Sequence, residues 1–322
     1  MRRSAGRLAV RLILTFGLLA VVLLVVAEPS AVLARLAGAS LPATLAALAL
    51  TLADRAIMAL KWRFLLTVRD VPLGWWTALR AYYASSFAGL FLPVTVGADV
   101  IRVLALRHLG VQLVSASIVV ERLVGAIAMG SVAVIGCAIL AALLRDLSLR
   151  PMLLGATALV LGSGLAFVAS LFLAGRWVAR RPGGQSFVAT LLEAYASYQH
   201  HRVAVALFYL ASVGESLLPS LVAYAAAVAL GISVPFWTLM ATVPISYTVA
   251  RLPVTLGGFG VLEASFVYLG GLVGIESSDA LSIMLLSDAV LLVALLPAAF
   301  DAEMLGLGRR GADRPDAPRD AA

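Results

Sequence analysis

Six stretches of about 20 mostly apolar residues constrain this chain more than any other feature. Each is long enough to cross the roughly 30 Å hydrocarbon core of a bilayer as an α-helix. They are Leu12–Ala27, Leu41–Leu60, Ser117–Leu144, Met152–Ala174, Val203–Leu230 and Leu281–Phe300. Only 13% of the residues are charged, against about 25% in soluble domains. The sequence therefore predicts an all-α polytopic membrane protein and excludes a soluble enzyme, a disordered chain and a disulfide scaffold.

Two further apolar regions are interrupted, and we interpret both as re-entrant, broken-helix hairpins. The regions and the residues that interrupt them are Trp75–Leu109, with Pro93 and Gly97, and Phe236–Gly274, with Pro253, Gly257 and Gly258. One arm of the first region, Arg80–Phe91, is about 18 Å long as a helix and too short to cross the core. Lipid cannot satisfy the backbone groups freed at a break, so the breaks must be shielded or line a cavity. The prolines are the predicted hinges, and a kinked full crossing is the alternative.

The distribution of basic residues favours hairpins over kinked crossings. With the N-terminus in the cytoplasm, two hairpins and six crossings place 18 of the 24 basic residues on the cytoplasmic side and three outside. This agrees with the positive-inside bias, so the net charge of +7 is a topology signal and not a sign of nucleic-acid binding. The Arg-rich, Asn-free composition indicates a bacterial chain. We predict an inner-membrane protein with both termini in the cytoplasm and a disordered tail at residues 301–322.

A short motif occurs twice, once at each break. Leu92–Ala98 reads LPVTVGA, and Leu252–Gly258, 160 residues later, reads LPVTLGG. Each copy follows two full helices and precedes one, so the second half is predicted to be inverted relative to the first. The halves are residues 8–144 and 152–300 of a single domain, residues 1–300. Inverted repeats with broken helices near the midplane are typical of secondary transporters, although two Pro-Gly breaks can match by chance.

Ionisable side chains at membrane depth are candidates for function, because they are costly there. We predict that helix N-termini after Gly97 and Gly258 bind a phosphate together with arginines and threonines. The predicted substrate-binding residues are Thr95, Gly97, Arg102, Arg251, Thr255, Gly257 and Gly258. The predicted polar network for a coupling proton or cation comprises Asp99, Glu121, Arg122, Glu215 and Glu263. Asp99 and Arg102 can meet at i, i+3, and Glu215, which has no neighbouring Arg, is the carboxyl expected to titrate.

Other chemistry is not indicated by the sequence. We favour a structural role for Asp54, Arg55 and Asp288, with opposite charges neutralising one another. There is no Walker A loop, no His-Glu-x-x-His motif and only one cysteine, so no metal, cofactor or ATP-driven pump is predicted. The expected partners are membrane lipids, because a lipid headgroup can bring a phosphate to this depth while its tail stays in the bilayer. An envelope-biosynthesis enzyme is a second possible partner, no nucleic acid is expected, and the oligomeric state is open.

Four motifs occur in one order: Lys61–Leu66, Leu90–Gly110, Val120–Leu123 and Pro253–Phe266. Over about residues 8–300 the chain resembles the transmembrane, flippase-like domain of the lysylphosphatidylglycerol synthase family. The resemblance implies a bacterial or archaeal plasma-membrane protein that handles lipids. Full-length synthases carry a soluble aminoacyl-transferase domain after this region. Because only about 20 residues follow the last apolar stretch here, we expect a stand-alone member. The family usually has Arg just before the Glu of the second hairpin, where this chain has Leu262, and Arg251 is the candidate replacement for that charge.

Three functions remain open at this point. The first is translocation of a phosphate-bearing lipid, such as an aminoacylated phospholipid or a polyprenyl-phosphate-linked precursor. The second is a non-transporting partner or regulator of an envelope glycosyltransferase. The third is an intramembrane enzyme with Asp99 or Glu121 as a base on a lipid phosphate. We favour translocation without enzyme activity, because the repeat and the midplane charges are typical of transporters, and a partner protein has no need of Arg251 or Glu263.

Overall fold

The computed structural model describes residues 2–91, 95–144, 150–180, 186–251 and 254–301. Within these ranges every regular element is a helix. The α-helices are α1 (Arg2–Val21), α2 (Pro29–Ala37), α3 (Leu41–Thr67), α4 (Trp75–Phe91), α5 (Thr95–Ala105), α6 (Val111–Leu144), α7 (Arg150–Arg180), α8 (Phe187–Ala196), α9 (Arg202–Ser216), α10 (Leu218–Ala229), α11 (Phe236–Ala250), α12 (Val261–Leu272) and α13 (Ser277–Ala299). A π-helical turn continues α1, and short 3₁₀ segments follow α5 and α8.

Five spans in the described ranges are long and apolar enough to cross a membrane. They are Leu41–Thr67, Val111–Leu143, Arg150–Arg180, Arg202–Ala229, which comprises α9 and α10, and Ser277–Ala299. These match five of the six predicted spans. The remaining one differs, because α1 and its π-helical turn meet α2 at a bend of 98°. Pro29 stands at the first position of α2, where proline starts a helix more readily than it continues one.

Apolar side chains are exposed along the outer helices. On α7, Leu154, Leu161, Leu165 and Phe172 are each more than half exposed. Soluble monomers rarely expose apolar patches of this extent, whereas lipid tails cover such side chains at no cost. Together with the five apolar spans, this surface identifies a multi-pass membrane protein.

Ion pairs at the helix ends define two opposite faces of the bundle. At one face, Nε of Arg80 at the start of α4 donates to Oδ2 of Asp301, just after α13, at 2.7 Å. At the other face, Nε of Arg35 on α2 donates to Oδ1 of Asp279, in the first turn of α13, at 3.0 Å. Because the two aspartates lie at opposite ends of one helix, the start of α4 and the helix α2 lie on opposite sides of the bundle.

Each interrupted region forms two short helices that pack against each other, α4 with α5 and α11 with α12. Side chains from both ends of each region and from the start of the next long helix belong to one apolar cluster. They include Ala78, Leu106 and Val114 in the first region and Leu239, Ile275 and Leu281 in the second.

The second helix of each interrupted region does not begin where the sequence analysis placed it. The helix α5 begins at Thr95, ahead of Gly97. The helix α12 begins only at Val261, after three glycines with φ of 59°, 87° and 82° at positions 257, 258 and 260. A right-handed helix cannot include a run of left-handed backbone, so α12 has to start beyond it. A single glycine with helical backbone, as at position 97, does not end a helix.

Candidate functional site

Arg102 is the centre of a buried polar cluster between α5 and α6. Its Nη2 donates to Oδ1 of Asp99 and its Nη1 to Oε2 of Glu121, each at 2.7 Å. The guanidinium carbon lies 4.8 Å from the ring centroid of Trp62 and 4.7 Å from that of Tyr82. Planar guanidinium groups suit both paired carboxylates and aromatic faces. We call these five residues the Arg102 cluster.

The geometry of the Arg102 cluster does not fit direct phosphate binding by Arg102. The residue is only 1% exposed, and its Nε is buried without a hydrogen-bond partner among the described residues. The hydroxyl of Tyr82 donates to Oε1 of Glu121 at 2.8 Å, so this carboxylate holds two partners. The predicted pairing of Asp99 with Arg102 is confirmed. Arg102 is thus occupied by carboxylates in this structure, and its contact with a substrate stays a prediction.

Arg122 lies at the surface of the same cluster. Its Nε and Nη2 donate to the two oxygens of Asp99 at 3.0 and 2.8 Å. Its side chain is 42% exposed, in contrast to Arg102. The pair forms the polar end of a cavity of about 360 Å³ between α5 and α6. The apolar side chains that line it are Val100, Val103, Ile118, Val119 and Leu123.

Arg251, which follows α11, has no carboxylate partner among the described residues. Its Nη2 lies 3.6 Å from the sulfur of Met129, and sulfur is a weak acceptor. Of the surrounding charges, that of Arg122 interacts most strongly with it. Arg251 forms no ion pair with Glu263 in the described part of the chain, and its role as a replacement for the family's arginine stays a prediction. The charges of Glu215 and Glu121 act on Arg251 less strongly than that of Arg122.

Glu215 has a basic partner that the sequence analysis missed. Nζ of Lys61 donates to Oε2 of Glu215 at 2.8 Å and to Oγ of Ser212 at 2.9 Å. Lys61 also lies over the ring of Phe208, 5.2 Å from its centroid. The lysine, predicted to lie on the cytoplasmic side, is 8% exposed. Glu215 is therefore held by an ion pair across α3 and α9, and its role as the titrating carboxyl stays a prediction.

Glu263 and Asp288 are a pair of buried carboxyls on neighbouring helices. Oε2 of Glu263 accepts the N–H of Gly260 at 2.6 Å and so caps α12. The carboxyl of Glu263 interacts with that of Asp288 on the neighbouring helix α13. Asp54 and Arg55 do neutralise each other as predicted, with Nε of Arg55 3.0 Å from Oδ2 of Asp54. The same prediction for Asp288 is wrong, because its partner is a second acid.

The comparison with known families decides the family. Residues 8–299 match the family described as lysylphosphatidylglycerol synthase TM region. The chain belongs to this family. The match confirms the resemblance found in the sequence, and the matched part is the membrane region, without the catalytic domain of such synthases. Comparison with curated protein sequences finds no match to this chain.

In this lysylphosphatidylglycerol synthase TM-region protein, the two interrupted regions touch. A Cβ built on Gly257 would lie 3.1 Å from the carbonyl oxygen of Leu90, near the end of α4. A Cβ on Gly258 would lie 3.0 Å from the carbonyl oxygen of Ala250. The glycines therefore allow backbone to approach backbone at the meeting point. Thr255 beside them is 3% exposed, and its hydroxyl has no partner in the described part of the chain.

Some predicted site residues fall outside what the structure describes. The hinges Pro93 and Pro253 and the tail from residue 302 onward lie outside the described residues. Of Thr95 and Gly97, only the backbone is described. Across the ranges that are described, no group of three His, Cys, Asp or Glu side chains could hold a metal ion. The structure describes five of the predicted substrate-binding residues in full, and the phosphate site that they were predicted to form stays a prediction. They are Arg102, Arg251, Thr255, Gly257 and Gly258.

Proposed function

We propose that this membrane protein moves a phosphate-bearing lipid between the two leaflets of a bacterial inner membrane. The observation that carries the proposal is Arg251, which has no ion pair among the described residues and on which the like charge of Arg122 acts. An arginine at membrane depth without a counter-charge is costly, and a second arginine beside it raises that cost. A phosphate between them would remove both penalties, and guanidinium forks suit its oxygens.

The cavity between α5 and α6 supports a lipid as the source of the phosphate. Its polar end is the Asp99–Arg122 pair and its walls are apolar, so a headgroup and an acyl chain find matching surroundings. A headgroup phosphate would compete with Asp99 for the exposed side of Arg122. Asp99 would keep its bond to Arg102, so the exchange leaves no carboxylate without a partner.

Matched helix contacts support an inverted repeat with two re-entrant hairpins. If α3 corresponds to α9 and α10, α4 and α5 to α11 and α12, and α6 to α13, then contacts in one half recur in the other. The matching pairs are α5–α6 with α12–α13, α3–α4 with α10–α11, α6–α11 with α4–α13, and α6–α9 with α3–α13. The contact of Gly257 with Leu90 fits hairpins that meet inside the membrane. Such a centre suits alternating access from the two sides.

The proposed orientation has both termini in the cytoplasm. The Arg80–Asp301 pair then marks the cytoplasmic face and the Arg35–Asp279 pair the outer face. This orientation follows the positive-inside distribution of the arginines. It also places the entrance to the first hairpin on the cytoplasmic face and that to the second hairpin outside.

A reconstitution experiment tests the proposal. Purified protein in liposomes would be assayed for leaflet exchange of fluorescent phosphatidylglycerol, aminoacylated phosphatidylglycerol or a polyprenyl phosphate, with dithionite quenching as the readout. We expect Arg251→Ala to lower the exchange rate tenfold or more, because a charged hydrogen bond contributes about 1.5–3 kcal/mol. Arg35→Ala, which removes an arginine from a surface ion pair, is the matched control and should keep the wild-type rate.

The other two functions give different outcomes. A folded wild-type protein that exchanges none of these lipids would contradict translocation and favour a partner of an envelope enzyme, to be sought by co-purification. Chemical conversion of the lipid in detergent, where no second leaflet exists, would favour an intramembrane enzyme. Equal rates for Arg251→Ala and wild type would remove the anion site from the proposal.

A further inference from the structure

The pair Glu263–Asp288 is an unusual contact between α12 and α13. Glu263 is 1% exposed and Asp288 is 7% exposed. Neither forms an ion pair with a basic side chain among the described residues. The backbone N–H of Gly260 donates a hydrogen bond to Glu263. Oδ2 of Asp288 is buried without a donor among the described residues. The two acids thus face each other with almost no compensation.

Carboxyls in contact can form a hydrogen bond only if one of them carries the proton. Two ionised carboxylates have four acceptor oxygens and no donor between them. Burial makes two negative charges side by side still less favourable. One proton shared by the pair supplies the missing donor to Oδ2 of Asp288 and halves the charge. A proton shared by the two acids is therefore favoured over two ionised carboxylates at this position.

The first half of the chain solves the same contact differently. There, α5 carries Asp99 and Arg102, and the fixed positive charge of Arg102 bridges to Glu121 on α6. In the second half, α12 carries Glu263 and meets Asp288 on α13, the helix in the place of α6. The residue before Glu263 is Leu262, which is buried in an apolar cluster. The second half thus has two neighbouring acids, Glu263 and Asp288, at the place where the first half has an arginine bound to two acids.

The remaining charges around the pair come from the helices packed on α12 and α13. Tyr247 of α11 interacts with both acids. Asp54 and Arg55 of α3 are paired with each other, and Tyr83 of α4 lies near that pair. On α2, Arg35 is paired with Asp279, nine residues or about 14 Å along α13 from Asp288. No charged side chain occurs on α1 from Leu12 onward or on its π-helical turn, and Tyr224 of α10 is exposed.

We propose that Glu263 and Asp288 form a proton-binding site that joins α12 to α13 and releases them from each other when the proton leaves. The site links the second break to the long helix beside it, so protonation controls the position of the half-helix that begins at Val261. The inference concerns the protein without any lipid. It therefore stands or fails separately from the proposed function.

Infrared spectroscopy of the purified protein in detergent tests the site directly. At neutral pH the wild-type protein should show a protonated-carboxyl C=O band that disappears on alkaline titration. Glu263→Gln and Asp288→Asn should each lack this band, because one amide and one carboxylate then satisfy each other without a proton. Asp279→Asn, which neutralises the acid that pairs with Arg35 on the same helix, is the control and should keep it.

The pH dependence of unfolding gives a second readout with a defined sign. Above about pH 5 the two acids are ionised in the unfolded chain, whereas the folded protein holds one proton. Stability is then lost as the pH rises, by roughly tenfold in the unfolding equilibrium constant per pH unit, until the pair deprotonates. Glu263→Gln should lose this slope, since its amide can accept from Gly260 and donate to Asp288. A band that survives in both amide variants, or pH profiles parallel to wild type, would overturn the proposal.

Discussion

At the scale of single residues, Arg102 shows how this chain keeps a full charge inside a bundle. Two carboxylates take its Nη atoms, and Trp62 and Tyr82 lie against its guanidinium. The neighbouring Arg122 binds the same Asp99 but is 42% exposed. Two arginines that share one carboxylate therefore differ in what surrounds them, and only the exposed one is open to a ligand.

Replacing Arg102 by lysine tests this reading. A lysine keeps the charge but cannot reach two carboxylates and two rings together, so one buried acid is left unpaired. We expect Arg102→Lys to lower the free energy of unfolding by about 3 kcal/mol, measured by thermal or denaturant unfolding in detergent. Arg122→Lys is the matched control, with an expected loss below about 1 kcal/mol. Equal losses in the two variants would contradict the distinction between them.

The sequence predicted residue contacts only where they are local. Asp99 and Arg102 are three residues apart on one helix, so helical geometry alone brought them together. Lys61 and Glu215 lie 154 residues apart, and nothing in the sequence joins α3 to α9. Asp288 was expected to be neutralised by an opposite charge, but the charged group that interacts with it most strongly is Glu263. Partners from distant parts of the chain were not available from the sequence.

At the scale of helices, glycines determine how closely α6 packs. A Cβ on Gly136 would lie 2.5 Å from the backbone nitrogen of Ala241 on α11, and one on Gly130 would lie 2.7 Å from a methyl of Val160 on α7. Gly125 on the same helix has no neighbour within 4 Å. Small residues at helix contacts are a usual means of tight packing in membranes, and here they fix α6 against both α7 and α11.

Alanine substitutions on α6 should therefore have opposite signs. Gly136→Ala forces the backbones of α6 and α11 apart, at a cost of about 1–3 kcal/mol, and this outweighs the gain in helix propensity. Gly125→Ala meets nothing and should stabilise the protein by up to about 1 kcal/mol. Unfolding temperatures in detergent provide the comparison. A stabilised Gly136→Ala protein would show that the two helices are not in the close contact described.

The long helices were predictable, and their interruptions were only partly so. Apolar length alone located the five spans that the structure contains, because a membrane imposes it. The bend of 98° between α1 and α2 was not predicted. The first predicted span ended at Ala27, and no helix was predicted for the residues that form α2. The start of α12 depends on three positive-φ glycines at positions 257, 258 and 260, and only their backbone angles reveal where the helix can begin.

At the scale of the whole molecule, the proposed topology has a direct test by cysteine labelling. In a Cys137→Ala background, Ser30→Cys, near the start of α2, should react with an impermeant reagent added outside the cell. His200→Cys, just before α9, should react only after the membrane is opened. Both positions are exposed in the structure, so reactivity reports the side of the membrane.

Two outcomes would contradict the topology in different ways. Labelling of both positions from outside would mean that the Trp75–Leu109 region crosses the membrane fully, because one more crossing moves residue 200 to the other side. Labelling of His200→Cys alone from outside would mean that the whole protein has the opposite orientation. The unsubstituted Cys137→Ala protein, which has no cysteine, is the control for background reaction.

The contact between Gly257 and Leu90 has a mechanical consequence. No side chain separates the two backbones at this point. The end of α4 and the second break therefore cannot move far independently of each other. If the protein moves lipids as proposed, this single shared contact would keep the two sides of the membrane from being open together. A side chain at position 257 would push the two backbones apart there.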